Sequence, residues 1–423
     1  MYQERKLNNG TRLVTYHQKD LDTVTMMVLV KTGALFEDAH EKGIAHFLEH
    51  MCFKDTKNYT KEDLLKEFEM RGAVSNAFTA YECTAYYAKT TKDMYEEVFP
   101  LISEIYHYPQ FPEDEIVIEK GVVIGEINMN KDLPQMMTYK KHQEFLYGIG
   151  KPHGDAILGS IESVNSLTRD MLKDFHDRFY IPENTVIMIA GNFDESNIVE
   201  LCEKHFTKPA GSPVLPIPPT QQSTGGAINL VEKESEQSHI IYSYNTESFY
   251  HKDATLLTVL GNILGQGLTS RLFMRLREKM GAGYYAQAEL DETYDAGALL
   301  IATGTEHARV QEVIMAIHDE CTKLINEEIS EAELKKVKDM TLARHIMGLE
   351  SSDSRADYNG VRAILGLPER NAETLKHELE VITPADVIRI ARQYFIPETL
   401  LVTVVGPALV REQIDACHAQ LFN

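Results

Sequence analysis

The chain has no tryptophan, no Cys-x-x-Cys pair and no apolar run long enough to span a bilayer. Its five cysteines (Cys52, Cys83, Cys202, Cys321 and Cys417) are scattered and odd in number. That excludes a disulfide framework and leaves them as reduced, packed thiols. Basic residues are also scarce, 42 against 64 acidic, for a net charge of −22. No basic patch is available to neutralise phosphate, which excludes nucleic acid and anionic membrane as partners. The acidity is compatible with attracting basic peptides, although a solvated acidic surface explains it more simply. The first residues, Met1 to Lys6, lack the apolar core of a secretion signal, and strand-like sequence begins by Arg12. The expected setting is the cytoplasm. At 423 residues the chain is long enough for several buried cores.

What is present is concentrated in Gly43-Ile44-Ala45-His46-Phe47-Leu48-Glu49-His50-Met51, a His-x-x-Glu-His pattern with apolar residues in its gaps. Phe47, Leu48 and Met51 predict a helix with one buried side. Four residues apart on a helix, His46 and His50 project from one face. Two neutral imidazoles so placed suit Zn²⁺, and Glu49 beside them can reach a water held there. The glutamate position is inverted relative to His-Glu-x-x-His zinc proteases. Three fixed residues within five arise by chance in roughly one chain in twenty of this length, so two satisfied histidines on a half-buried helix are the plain alternative. Cys52 lies two residues past His50, an offset that turns it away from the histidine face.

Residues 11–17 and 22–32 read as adjacent strands preceding this helix. Thr60 caps a helix from Lys61 to Arg71. Residues 72–87, rich in small, β-branched and aromatic side chains, predict two more strands. The stretch around Asn76 and Ala77 suits a sheet edge, where an extended peptide pairs as readily as nothing at all. A helix over 92–108 follows, and Pro112 opens another to about Met129. That helix carries Glu113, Glu115, Glu119 and Glu126. A zinc site on His46 and His50 needs a third ligand, and spacing alone does not choose among these carboxylates. Pro152-His153-Gly154 reads as a structural loop. Thr168 caps a helix ending at Phe179, and Thr185–Ala190 is a buried strand.

Prolines 209, 213, 216, 218 and 219, with a polar tail to Gly226, mark a semi-rigid linker. Beyond it the first half recurs. Residues 166–191 align without gaps on 381–406, Thr168 with Thr383, Ile181-Pro182-Glu183 with Ile396-Pro397-Glu398, and Gly191 with Gly406. Strands at 227–232 and 238–244 come first, as in the first half. Where the first half has His46 to His50, the second has Leu264-Gly-Gln-Gly-Leu-Thr-Ser-Arg-Leu, with no metal ligand. Its glycines lack the Gly-Lys-Ser/Thr ending of a phosphate loop. The expected fold is α+β: two homologous α/β-sandwich domains, each a mixed or antiparallel sheet with helices packed on it. The boundaries are 1–208 for a metal-binding domain, 209–226 for the linker, and 227–423 for a domain without ligands.

The pattern resembles the pitrilysin-like (M16) zinc metallopeptidases, most closely half-length bacterial members similar to the mitochondrial processing peptidase β-subunit. The resemblance covers nearly the whole chain. Gly43 to Thr56 is similar to the metal helix of that family, and Glu119-Lys-Gly-Val-Val-Ile-Gly-Glu126 to its distal helix. It implies one Zn²⁺ per chain held by His46, His50 and Glu126, with Glu119 orienting a ligand histidine. It implies Glu49 as the acid–base residue and Asn76 and Ala77 as the substrate-binding edge. Arg271 to Tyr284 resembles the segment whose arginine and tyrosine, seven apart, assist the site, which implies Arg277 and Tyr284. Two domains would form half of a clamshell, so a homodimer enclosing a chamber is implied, with Arg277 and Tyr284 acting on the opposite subunit. The substrates would be short or unfolded peptides. The competing reading is a non-catalytic peptide-binding clamp or partner subunit on the same fold; nothing supports a Ser or Cys nucleophile.

Overall fold

The computed structural model describes residues 2–151, 153–212 and 219–422. Pro152, and the linker prolines 213, 216 and 218, lie outside the described residues. The chain divides into two compact units. The first comprises Met1–Asn128, Ala156–Pro218 and Ile346–Glu369; the second comprises Met129–Asp155, Pro219–His345 and Arg370–Asn423.

The first unit is built on a six-stranded sheet of β1 (Tyr2–Lys6), β2 (Arg12–His17), β3 (Thr23–Val30), β4 (Val74–Thr79), β5 (Thr84–Thr91) and β6 (Thr185–Gly191). The order is β1-β2-β6-β3-β5-β4. β2 runs parallel to β6 and the remaining pairs are antiparallel. Central strands covered on both faces carry apolar residues almost without interruption, and every residue of β6 is buried. On one face Met26, Val28, Tyr86 and Ile189 pack with Phe47, Leu48, Phe99 and Phe175 from helices. On the other, Met27, Leu29 and Met188 meet Ala356 and Ala363 of the helix Ser352–Ile364.

The second unit holds a five-stranded sheet of β7 (Ala227–Glu232), β8 (Ser238–Thr246), β9 (Ala286–Glu292), β10 (Gly297–Thr305) and β11 (Leu400–Gly406), ordered β7-β11-β8-β10-β9. This is the first sheet's order without β1, and the single parallel pair, β7 with β11, falls in the same place. The aligned segments behave alike. Thr168 and Thr383 each accept a backbone N–H at a helix start, and each helix runs through a short 3-10 turn into a fully buried strand. The fold is therefore the expected α+β duplication.

Two segments sit outside a simple division at the linker. The helix Pro134–Tyr147, from the first half of the sequence, belongs to the second unit, where Leu146 and Tyr147 pack on Ile241, Leu300 and Leu401. The helix Ser352–Ile364, from the second half, belongs to the first unit. Each sheet thus has its second face covered by the other half of the chain. Helical periodicity reveals that such a segment has an apolar side, but not which sheet that side covers.

Candidate metal centre

α1 (Ile44–Cys52) starts at Gly43, whose φ of 89° lies in the left-handed region that glycine tolerates best. A Cβ there would stand 2.7 Å from the carbonyl oxygen of Leu158. The backbone N–H groups of Gly43 and Ala45 donate to the two oxygens of buried Glu37, each at 2.9 Å. Burial pushes the Glu37 carboxyl up to about 8, against the lowering effect of those two donors. Ile44, Phe47, Leu48 and Met51 are buried. That leaves His46, Glu49 and His50 on the half-buried side of the helix. Cys52 is also buried, and its sulfur accepts from the Tyr86 hydroxyl at 3.4 Å, so it faces away from the histidines.

α2 (Lys61–Met70) is capped by Thr60 as expected, and α3 (Tyr95–His107) precedes α4 (Glu113–Asp132), which carries the distal carboxylates. His46 Nε2 is 3.7 Å and His50 Nε2 3.9 Å from the same oxygen, Glu126 Oε2. One ligand atom from each of the three residues lies within 4.8 Å of the others, and among the described residues no other group of three His, Cys, Asp or Glu converges this way. Tetrahedral zinc ligands at about 2.0–2.1 Å stand roughly 3.3 Å apart, close to these separations. Two imidazoles and one carboxylate are a donor set that Zn²⁺ accepts, with a fourth position open. Burial, reinforced by the charge of His50, lowers the His46 pKa to about 4, so at neutral pH its ring is uncharged and able to donate a lone pair.

Glu119 does something different. Its Oε1 is 2.7 Å from His50 Nδ1, and its Oε2 is 2.6 Å from Lys54 Nζ. Burial alone would raise this carboxyl, but the hydrogen bonds from His50 and Lys54 bring it down to about 2. An ionised carboxylate can only accept, so the shared proton sits on His50 Nδ1, which leaves Nε2 free on the Glu126 side. Burial works against charge on His50, but the bond to Glu119 and the charges of Glu126 and Glu49 outweigh it and raise its pKa. Behind Glu119, Lys54 also lies 3.9 Å from Glu115, which in turn pairs with Lys61.

Glu49 faces the same space from α1. Its Oε2 accepts from the Thr79 hydroxyl at 2.6 Å. Burial raises its carboxyl above the ordinary range, opposed by the Thr79 hydrogen bond and the charge of His50. Thr79 ends β4, the edge strand that also carries Asn76 and Ala77. Asn76 is exposed, and its side-chain oxygen accepts the Ala77 backbone N–H at 2.9 Å.

Thus His46, Glu49, His50, Glu119 and Glu126 are brought together, with Asn76 and Ala77 on the strand that contacts Glu49. Arg277 and Tyr284 lie in the second unit. Arg277 is exposed on a π-helical turn, Phe273–Lys279, with its guanidinium over the Phe273 ring at 5.2 Å. Tyr284 is 54% exposed, whereas neighbouring Tyr285 is engaged with His239 at 3.1 Å. Sequence reasoning missed Glu37, Lys54 and Thr79. Of these only Lys54 had a local signal, a cation one helical turn beyond His50.

Comparison with known proteins agrees with this architecture. The family model described as Insulinase (Peptidase family M16) matches residues 12–151, which contain every residue of the metal-type cluster. A second, described as Peptidase M16 inactive domain, matches residues 166–341. An uncharacterized zinc protease of Mycobacterium leprae is 32% identical over 395 residues, covering 92% of this chain and 88% of its own length. An uncharacterized zinc protease of Bacillus subtilis is 29% identical over 411 residues, covering 95% and 97%. A solved protease from Helicobacter pylori superposes with a TM-score of 0.89 at 26% identity, over 96% of this chain and 99% of that one. A Pseudomonas fluorescens structure titled as the peptidase M16 inactive domain gives the same TM-score at 19% identity, a likeness of fold.

Fold and site together define a duplicated α+β protein with a helix-borne cluster of metal-ligand type in its first copy. The chain belongs to the M16 peptidase family. Among the described residues, no helix is long and apolar enough to cross a membrane.

Proposed function

We propose that this chain is a zinc-dependent endopeptidase that cleaves short or unfolded peptides. The observation that carries the reading is the convergence of His46, His50 and Glu126 around one point, with Glu49 held beside it. His46 Nε2, His50 Nε2 and one Glu126 oxygen would hold one Zn²⁺ per chain. When bound, the ion supplies Lewis acidity toward the scissile carbonyl and acidifies water. Glu119 fixes the His50 tautomer and ring orientation. Glu49 takes a proton from the attacking water and delivers it to the leaving amine.

The substrate would lie extended along the open edge of β4, where Asn76 would release the Ala77 N–H to an incoming carbonyl. Two units per chain would make half of an enclosing chamber, completed by a second copy. The exposed Arg277 and Tyr284 would then serve the site of the opposite subunit, binding backbone or stabilising the oxyanion. The net charge of −22 is compatible with basic peptides among the substrates. Five free, buried cysteines support a cytoplasmic setting.

The test is metal content and peptide cleavage on the same preparations. One zinc per chain in the wild type, lost in His46→Ala and Glu126→Gln together with hydrolysis of a quenched fluorescent peptide mixture, supports the reading. A protein that takes up no zinc and cleaves nothing would instead be a peptide-binding clamp.

A further inference from the structure

The Glu49 carboxylate is oriented from the strand, not from its own helix. The Thr79 hydroxyl has one proton to give. It lies 2.6 Å from Glu49 Oε2 and 3.5 Å from the Thr84 hydroxyl, while Thr84 gives its own proton to the Thr32 carbonyl at 3.0 Å. The short contact is therefore the one that receives the Thr79 proton. The residues after Thr79 are clamped in place. Ala80 N–H donates to the Cys83 carbonyl at 2.8 Å, Ala34 N–H to the Ala80 carbonyl at 3.2 Å, and Leu35 N–H to the Tyr81 carbonyl at 3.0 Å. A Cβ on Gly33 would fall 2.2 Å from the Ala80 oxygen, so this packing admits only glycine. Thr79 thus sits between a fixed turn and the open edge of β4.

We infer that Thr79 is a positioning residue for peptide hydrolysis. Its hydroxyl occupies Glu49 Oε2 and leaves Oε1 as the oxygen that accepts and returns the proton. It also ties the acid–base group to the strand on which the peptide would be laid, so the register of a paired substrate and the position of Glu49 are set by one element. This rests on the peptidase reading above.

The experiment uses the zinc-loaded full chain with Thr79→Val, which keeps the shape and loses the hydroxyl, and Thr79→Ser, which keeps the hydroxyl. Thr79→Val is expected to bind zinc as the wild type does and to lose kcat by about tenfold or more at unchanged KM. Thr79→Ser should regain most of that loss. In the Glu49→Gln background, adding Thr79→Val should leave peptide affinity unchanged, measured by fluorescence anisotropy of a labelled peptide. Full kcat in Thr79→Val, an equal loss in Thr79→Ser, or weakened peptide binding in the double variant would each overturn the assignment. A wild type that holds zinc and hydrolyses no peptide would overturn the peptidase reading and this inference with it. Wild-type activity with Thr79 indifferent would overturn the inference alone.

Discussion

His50 Nδ1 and Glu119 Oε1 are 2.7 Å apart, and this bond decides which nitrogen of His50 faces Glu126. The bond is anchored on the far side by Lys54, whose ammonium holds the other Glu119 oxygen. Replacing Glu119 by Gln removes the ionised acceptor and frees the ring to choose either tautomer. Zinc affinity, measured by competition with a chromophoric chelator, should fall about 10–100-fold while the fold persists. Unchanged affinity would remove Glu119 from the site.

Gly43→Ala tests how α1 is started. The substitution puts a Cβ at a φ of 89° and 2.7 Å from the Leu158 carbonyl oxygen. The cost should be about 1–3 kcal/mol of stability, read as a lower melting temperature. Zinc affinity should fall with it, because the same turn sets the first residues of the helix that carries His46 and His50. A variant that melts like the wild type would show that the backbone relaxes freely there.

Acid should destabilise the protein through buried neutral histidines. Burial lowers both His107 and His142 to about 3 from an ordinary 6.5. The unfolded chain takes up their protons near 6.5 and the folded chain does not. The stability each contributes is complete above pH 6.5 and declines as pH falls toward 3. At pH 5 each should cost about 2 kcal/mol. His142 packs in the second unit, its Nδ1 3.0 Å from the Thr403 hydroxyl. Thermal melts of His142→Gln at pH 8 and pH 5 should therefore show a smaller drop than the wild type. An equal drop would place the acid sensitivity elsewhere.

Action across a dimer has its own test. Glu49→Gln and Tyr284→Phe chains, each inactive alone, should recover peptide hydrolysis when mixed, since one of the two sites in a heterodimer would be intact. Verified heterodimers with no recovery would sink the in-trans arrangement.

Much of this was legible in the sequence because it is local. The helix bearing His46, Glu49 and His50 follows from the apolar residues between them, and Cys52 faces away as its offset requires. The duplication was legible because Thr168 and Thr383 start matching helices. Contacts between distant segments were not. Spacing could not separate Glu126 from Glu119, because their difference lies in what each meets across the fold: two Nε2 atoms for one, His50 Nδ1 and Lys54 for the other. Thr79 read as one more β-branched strand residue, since its partner is thirty positions away on a helix. The exchange of helices Pro134–Tyr147 and Ser352–Ile364 was invisible for the same reason.

The most direct measurement is cleavage of a quenched fluorescent peptide mixture by zinc-loaded wild type and zinc-loaded Glu49→Gln, each with and without chelator. The wild type should cleave, stop with chelator and resume with added Zn²⁺, while Glu49→Gln should hold the same zinc and not cleave. Cleavage by Glu49→Gln at the wild-type rate would rule out Glu49 as the acid–base group of a zinc peptidase.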